Sequence, residues 1–312
     1  MSPLRRGRGR VDPATPVEMT PSVLPVPSRP FPPGGARNVV VVVLDSLRYD
    51  SAMTSGMPNM AKLGEIERRW SYASWTAPSH YNLLMGLLPH RSPTQVYASE
   101  YYKEDFTRYT ERLGVPGIEF AAMLPSLWLP TYLRNVLGYK TGALVSMPVL
   151  NPTTPVNRDF DHYELMGSHY DMLGMLDRIT FDPDRPSFWM LNVGETHYPY
   201  ALPGEDPREW PTISGVHGVF KHLDKQLAPG AHDEAPRFFD EGELVRLRER
   251  QVRAAGYTDE LLAKLYDLVP PRTWIIVTAD HGELFGEEGY FGHGPIAHEK
   301  VYEVPFVEGC LR

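Results

Sequence analysis

Segments far apart in this chain end in side chains that can act on one another. Asp45 closes an unbroken apolar run, Val39 to Leu44, and Asp280-His281 closes a second, mostly apolar run that begins at Trp274. Two converging carboxylates beside an imidazole suit a divalent cation. Between them lies Ser74-Trp-Thr76-Ala-Pro78-Ser79-His80-Tyr-Asn82-Leu-Leu-Met-Gly86. Pro78 and Ser79 mark a helix start, and Leu83, Leu84 and Leu87 form an apolar stripe. Thr76 then stands just ahead of a helix N-terminus, where free N–H groups and the dipole favour an anion. A hydroxyl there can touch a metal, lose its proton and attack phosphorus or sulfur. The simpler alternative is that Thr76 or Ser79 only caps the helix.

Two histidines add to this set. His197 follows the run Phe188-Trp-Met-Leu-Asn192-Val within Gly194-Glu195-Thr-His-Tyr. It can bind a substrate oxygen or protonate a leaving group, or simply be a turn histidine satisfied by backbone. Glu195 is a metal ligand, a partner to a ligand, or plain surface charge. His293 sits in the glycine-punctuated loop Phe285 to Gly294, where glycines permit close backbone approach to a ligand.

The elements that must position these residues read as alternating strands and helices. Strands are expected at 38–44, 141–147, 187–193 and 273–279. Helices are expected at 58–68, 79–87, 126–137, 168–179, 241–254 and 258–268. Unalternating β-branched runs are buried on both faces, so the sheet is parallel with helices on each side. Ligands bind beyond the carboxyl ends of such strands. All the polar clusters above fall at that edge. The region 203–240, rich in Pro, Gly, Asp, Glu and His, reads as a long surface excursion over the site.

Composition bounds the function. The chain has 312 residues, 42% apolar and 22% charged, with net charge −8 from 31 basic and 39 acidic residues. That balance excludes a general nucleic-acid binder. Cys310 is the one cysteine, so neither an intrachain disulfide nor a cysteine zinc cluster is available. No apolar window approaches the roughly 18 residues of a membrane span. Residues 1–36, rich in Pro, Arg, Gly and Ser, read as a disordered tail with no apolar core of a secretory signal. The expected compartment is the cytoplasm.

Taken in order, the segments resemble a known family. V-V-V-L-D-S-L-R-Y-D (41–50), W-T-A-P-S-H-Y-N-L-L-M-G (75–86), G-Y-K-T (138–141), F-D-H-Y (160–163), G-E-T-H-Y-P-Y (194–200), Y-T-D (257–259), T-A-D-H-G-E (278–283), G-H-G (292–294) and V-Y-E-V-P-F (301–306) match in series the sulfatase-like branch of the alkaline phosphatase superfamily. The resemblance covers about residues 38–308. It implies a three-layer α/β/α sandwich with a mostly parallel central sheet. It implies metal ligands Asp45, Asp280 and His281, with Thr76 as a metal-touching nucleophile. His197 and His293 match substrate-binding and leaving-group positions, and His80 and Asn82 fall in the substrate-binding part of the nucleophile segment.

The departures from the family pattern steer the function. Sulfatases convert Cys or Ser to formylglycine, but oxidising Thr76 would give a ketone, so no formylglycine is expected. Threonine there resembles the phosphodiesterases and phosphotransferases of the superfamily. The usual arginine is His80, the usual second aspartate is Ser46, and most of the family's C-terminal subdomain is expected to be missing from the domain 37–312. The expected function is metal-dependent hydrolysis or transfer on small anionic phosphoesters. One divalent cation (Mn, Zn, Mg or Ca) is expected, with a second as the alternative. Two other readings stand beside it: a sulfuric ester hydrolase without formylglycine, and a non-catalytic anion-binding relative.

Overall fold

The computed structural model describes residues 37–92, 105–118, 127–211 and 239–311. The tail expected at 1–36 and most of the excursion 203–240 lie outside the described residues.

The unbroken valine run forms β1 (Val39–Leu44), all six residues buried. It lies between β5 (Ser187–Val193) and β6 (Trp274–Thr278), parallel to both. Beyond β5 come β3 (Lys140–Val145) and the edge strand β4 (His162–Leu165), again parallel. On the other side β9 (Glu303–Cys310) runs antiparallel to β6, and β2 (Glu67–Trp70) antiparallel to β9. Among the described residues the order is therefore β2-β9-β6-β1-β5-β3-β4, with β9 alone reversed. A small hairpin pairs β7 (Leu284–Phe285) with β8 (Phe291–Gly292).

Helices cover both faces. Val39, Val41 and Val43 pack in one apolar cluster with Leu83 and Leu84 of α2 (Thr76–Leu84) and Leu129 and Leu133 of α4 (Leu129–Asn135). Between these two helices in sequence lies the short α3 (Tyr109–Leu113). Val40, Val42 and Leu44 pack on the opposite face. Their neighbours are Ala52 of α1 (Tyr49–Ser55), Met172 and Met175 of α5 (Met172–Leu176), and Leu261, Leu262 and Leu265 of α6 (Glu241–Leu268). Each such side chain contributes about 1.5–3 kcal/mol of burial. This is the expected three-layer sandwich.

Register decides where chemistry can sit. Val43 stands level with Asn192 on β5 and Thr278 on β6. Side chains alternate with period two, so Asp45 and Asp280, each two residues on, leave the sheet side by side on the α2 face.

Three sequence expectations need correction. The stretch 58–68 is a 3₁₀ turn, Met60–Leu63, followed by β2. Its charged Arg68 and Arg69 hide a strand because Arg69 lies buried with its guanidinium over the Phe306 ring. The pair 241–254 and 258–268 is one 28-residue helix, continuous through Gly256, where α1 comes close at Ser55. The helix at 168–179 shrinks to α5, started by Asp171, whose side chain accepts from the Gly174 N–H. Among the described residues no helix is long and apolar enough to cross a membrane.

Gly142 on β3 stands opposite Trp189 on β5, and a Cβ there would overlap the indole. Gly142→Ala is expected to lower the melting temperature by about 5 °C, from roughly 1–3 kcal/mol of overpacking. Calorimetry on the two proteins checks it, and an unchanged midpoint would mean the indole gives way freely.

Candidate metal centre and nucleophile

Asp45 and Asp280 are both fully buried, and every oxygen but one is held. Asp45 Oδ2 accepts from Asn192 Nδ2 at 2.7 Å and Oδ1 from Ser46 Oγ at 3.1 Å. Asn192 is fixed in turn, because its Oδ1 accepts the backbone N–H groups of Ser146 and Met147. Asp280 Oδ1 accepts the N–H of Ser46 at 3.0 Å and of His281 at 2.9 Å. Among the described residues Asp280 Oδ2 has no hydrogen-bond partner. Gln251 of α6 donates from Nε2 to the carbonyls of Ser46 and Thr196, and Thr196 Oγ1 donates to the Asp45 carbonyl. The loops after β1 and β5 are thereby tied to one buried amide.

His281 completes the cluster. Its Nδ1 lies 2.9 Å from the Gly282 carbonyl, which can only accept, so the proton is on Nδ1. The Nε2 lone pair faces Asp280 Oδ2 at 3.3 Å, Asp45 Oδ1 at 4.0 Å and Thr76 Oγ1 at 3.3 Å. Ligand atoms of Asp45, Asp280 and His281 all lie within 4.8 Å of one another. Gly282 is required here, since a Cβ would overlap the Lys300 carbonyl just ahead of Val301, whose own carbonyl accepts the Gly282 N–H. Both carbonyls belong to α7 (Glu299–Tyr302). Thr76 is the first residue of α2 and is 5% exposed.

The electrostatics of this cluster call for a cation. Burial, and then the charge of Asp45, push the Asp280 carboxyl well above its ordinary value. Burial also works against the Asp45 charge, but the imidazoles around it and the Asn192 hydrogen bond hold Asp45 below its ordinary value. Burial, and then His293, push His281 far down, so it stays neutral and keeps its lone pair. Among the described residues no Lys or Arg pairs with either carboxylate. An orphan carboxylate oxygen, a second carboxylate and an imidazole lone pair aimed at one point fit a divalent cation with oxygen and nitrogen donors.

His293 and His197 continue the row of imidazoles. The His293 ring centre is 4.2 Å from that of His281 and 5.2 Å from that of His197. His293 Nδ1 is 3.2 Å from Glu283 Oε1. Burial lowers His293, but the Glu283 hydrogen bond and charge prevail and hold it above its ordinary value. Glu283 is buried, accepts from the Tyr200 hydroxyl, and its carbonyl accepts from Arg48. His197 Nδ1 donates to the Tyr198 carbonyl at 2.8 Å, leaving Nε2 free.

Two candidates lie differently. His80 is fully buried inside α2; its Nδ1 donates to the Thr76 carbonyl at 2.8 Å and lies 3.7 Å from Asp280 Oδ2. Burial lowers its pKa, so it brings no fixed positive charge. Asn82 turns back on its own helix, donating to the Pro78 carbonyl. Sequence reading missed the supporting groups Ser46, Asn192, Thr196, Gln251 and Glu283. The signal for Asn192 was present: one amide inside a strand otherwise buried and apolar.

Mostly parallel strands between two helical layers, with acidic groups converging at the carboxyl edge, agree with the architecture that the resemblance implies. The Sulfatase family profile matches residues 37–307, and the chain belongs to the sulfatase family. Similar solved structures include the C-terminal periplasmic domain of EptC from Escherichia coli in complex with Zn. That match has 14% identity and a TM-score of 0.51, covering 88% of this chain and 73% of that one. The soluble domain of lipooligosaccharide phosphoethanolamine transferase A from Neisseria meningitidis matches at 17% identity and TM-score 0.51, covering 90% and 78%. A 2-O GAG sulfatase matches at 11% identity and TM-score 0.54, covering 88% and 64%. None of the curated proteins matches the chain in sequence.

Glu195 stands outside the cluster. Its Oε1 accepts the Met172 N–H at the start of α5, Oε2 has no partner among the described residues, and burial pushes its pKa up to about 7 from 4.5. Below pH 4.5 it is protonated whether folded or unfolded and has no effect. Between pH 4.5 and 7 the unfolded chain releases a proton that the folded chain keeps, so stability falls with rising pH. Above that window the loss is constant at about 3 kcal/mol. Glu195→Gln is therefore expected to gain melting temperature over the wild type as pH rises from about 5 to 8. Thermal scans across that range test it; a gap that does not grow with pH would refute it.

Proposed function

We propose that this protein transfers the phosphoryl group of a phosphoester to Thr76 and then to water or an acceptor alcohol. The observation that carries the reading is the Thr76 hydroxyl, 3.3 Å from His281 Nε2, at the first residue of a nine-residue helix and beside two buried carboxylates. The free N–H groups of the first turn of α2 favour an anionic phosphoryl group there. Asp45, Asp280 and His281 would hold one divalent cation. When bound, it lowers the pKa of the neighbouring hydroxyl and offsets charge on the transferring group. The donor set suits Zn or Mn as well as Mg or Ca, and the Escherichia coli EptC domain is a Zn complex.

In the first step Thr76 Oγ1 releases its proton to solvent and bonds to phosphorus as the phosphorus–oxygen bond to the leaving alcohol breaks. His293, held above its ordinary pKa by Glu283, gives a proton to the leaving oxygen. His197 stands next in that row, and its Nε2 lone pair, free of backbone bonds among the described residues, can accept a hydrogen bond there. In the second step the oxygen of water or an alcohol attacks phosphorus, His293 takes the proton of the attacking group, and Thr76 Oγ1 leaves and regains a proton from solvent. Threonine supports phosphorus over sulfate-ester chemistry, because a secondary alcohol cannot yield the formylglycine aldehyde.

Turnover of bis(p-nitrophenyl) phosphate with added Mn²⁺ or Zn²⁺ tests this. Thr76→Ala is expected to lower kcat by about a thousand-fold or more. Mass spectrometry of quenched wild-type reactions is expected to find a p-nitrophenyl phosphoryl group on Thr76. Equal rates for the two proteins would remove Thr76 as nucleophile, and faster cleavage of an aryl sulfate would move the substrate class.

A further inference from the structure

Of six tryptophans, Trp70, Trp128, Trp189 and Trp274 are buried at 6–8% exposure, whereas Trp75 is 48% exposed. A single exposed apolar side chain carries no meaning by itself. This one is bonded directly to Thr76. On its other side, the Ser74 carbonyl accepts the N–H of Gly294, the residue after His293. The Trp75 backbone therefore spans the short gap between the proposed nucleophile and the loop bearing the leaving-group imidazole.

Its position in the helix is also costly. Trp75 is the N-cap of α2, with φ −158° and ψ 162°, and makes no side-chain capping hydrogen bond. Ser, Thr, Asp or Asn would satisfy a free N–H there, and an indole cannot. Among the described residues, the indole N–H has no partner and the ring meets no other aromatic ring. Local helix stability therefore does not account for a tryptophan at this place.

We infer that Trp75 is a specificity-determining residue, offering its indole as a platform for a flat aromatic ring carried on the phosphoester. The inference rests on the phosphoryl-transfer reading and names the organic part of that substrate. An acyl chain would need a continuous apolar trough. The described segments that frame the site, 71–82 and 280–294, hold no other exposed large apolar side chain. One isolated flat face matches one ring, by offset or edge-to-face stacking.

The test compares phenylphosphonate with methylphosphonate, binding to the full chain with added Zn²⁺, by calorimetry. The wild type is expected to bind the phenyl compound about five-fold more tightly, the size of one aromatic pair. In Trp75→Ala the phenyl-to-methyl ratio is expected to fall toward one, and in Trp75→Phe to stay near the wild-type value. The kcat/KM ratio for phenyl against ethyl p-nitrophenyl phosphate is expected to follow the same order. A wild type without preference, including one that binds no phenylphosphonate, overturns the inference, as does a ratio that survives in Trp75→Ala. A Thr76→Ala protein that keeps its rate would overturn the nucleophile and leave the binding ratio to stand or fall by itself.

Discussion

Everything at the carboxyl edge of this sheet depends on holding two aspartates together away from water. Asp45 and Asp280 have ligand atoms within 4.8 Å of each other and are 0–1% exposed. Like charges at that separation repel by roughly 3 kcal/mol even at an effective dielectric of about 20. The fold meets part of this with donors: two N–H groups on Asp280 Oδ1, an amide and a hydroxyl on Asp45. It leaves the rest unmet, with Asp280 Oδ2 unpartnered and Asp280 itself pushed toward its protonated form. A site built for stability alone would have paired that oxygen. The unmet demand is the observation that supports a cation between the two carboxylates.

The sheet is what keeps the demand focused. Because β5, β1 and β6 are parallel neighbours in fixed register, Asp45 and Asp280 leave at the same level toward α2, where Thr76 waits. A slip of one residue in β1 or β6 would send one carboxylate to the α6 face and separate the pair. The deep burial of Val39 to Val43, on both faces, is therefore a functional constraint as well as a source of stability.

Much of this was legible in the sequence, for reasons that also explain what was not. The runs at β1 and β6 are unalternating and end in Asp, so both strands and both carboxylates could be read directly. β2 could not, because its arginines look like a solvated helix until Phe306 of β9 is placed beneath Arg69. Gln251 lies in the charged stretch Arg-Glu-Arg-Gln-Val-Arg, yet it is fully buried, since the helix presses it between the loops after β1 and β5. Glu283 was visible as a motif letter, but its role needs the return of the loop that brings His293 back to it. Residues that touch the reacting centre end strands or open helices and leave a mark in the pattern. Residues that orient them act across the fold and leave almost none.

Ser46 gathers these constraints into one position. Its backbone is left-handed, φ 62°, a conformation that costs a non-glycine residue roughly 1–2 kcal/mol. Three hydrogen bonds offset that strain: its N–H to Asp280, its hydroxyl to Asp45, and its carbonyl from Gln251. Glycine would relieve the strain but lose the hydroxyl that restrains Asp45. An aspartate, the residue common at this place in the resembling family, would set a third carboxylate against two that already repel each other. Serine lets one strained residue link both carboxylates while adding no charge, so the cluster's full ionised charge is the two units that a single divalent ion neutralises.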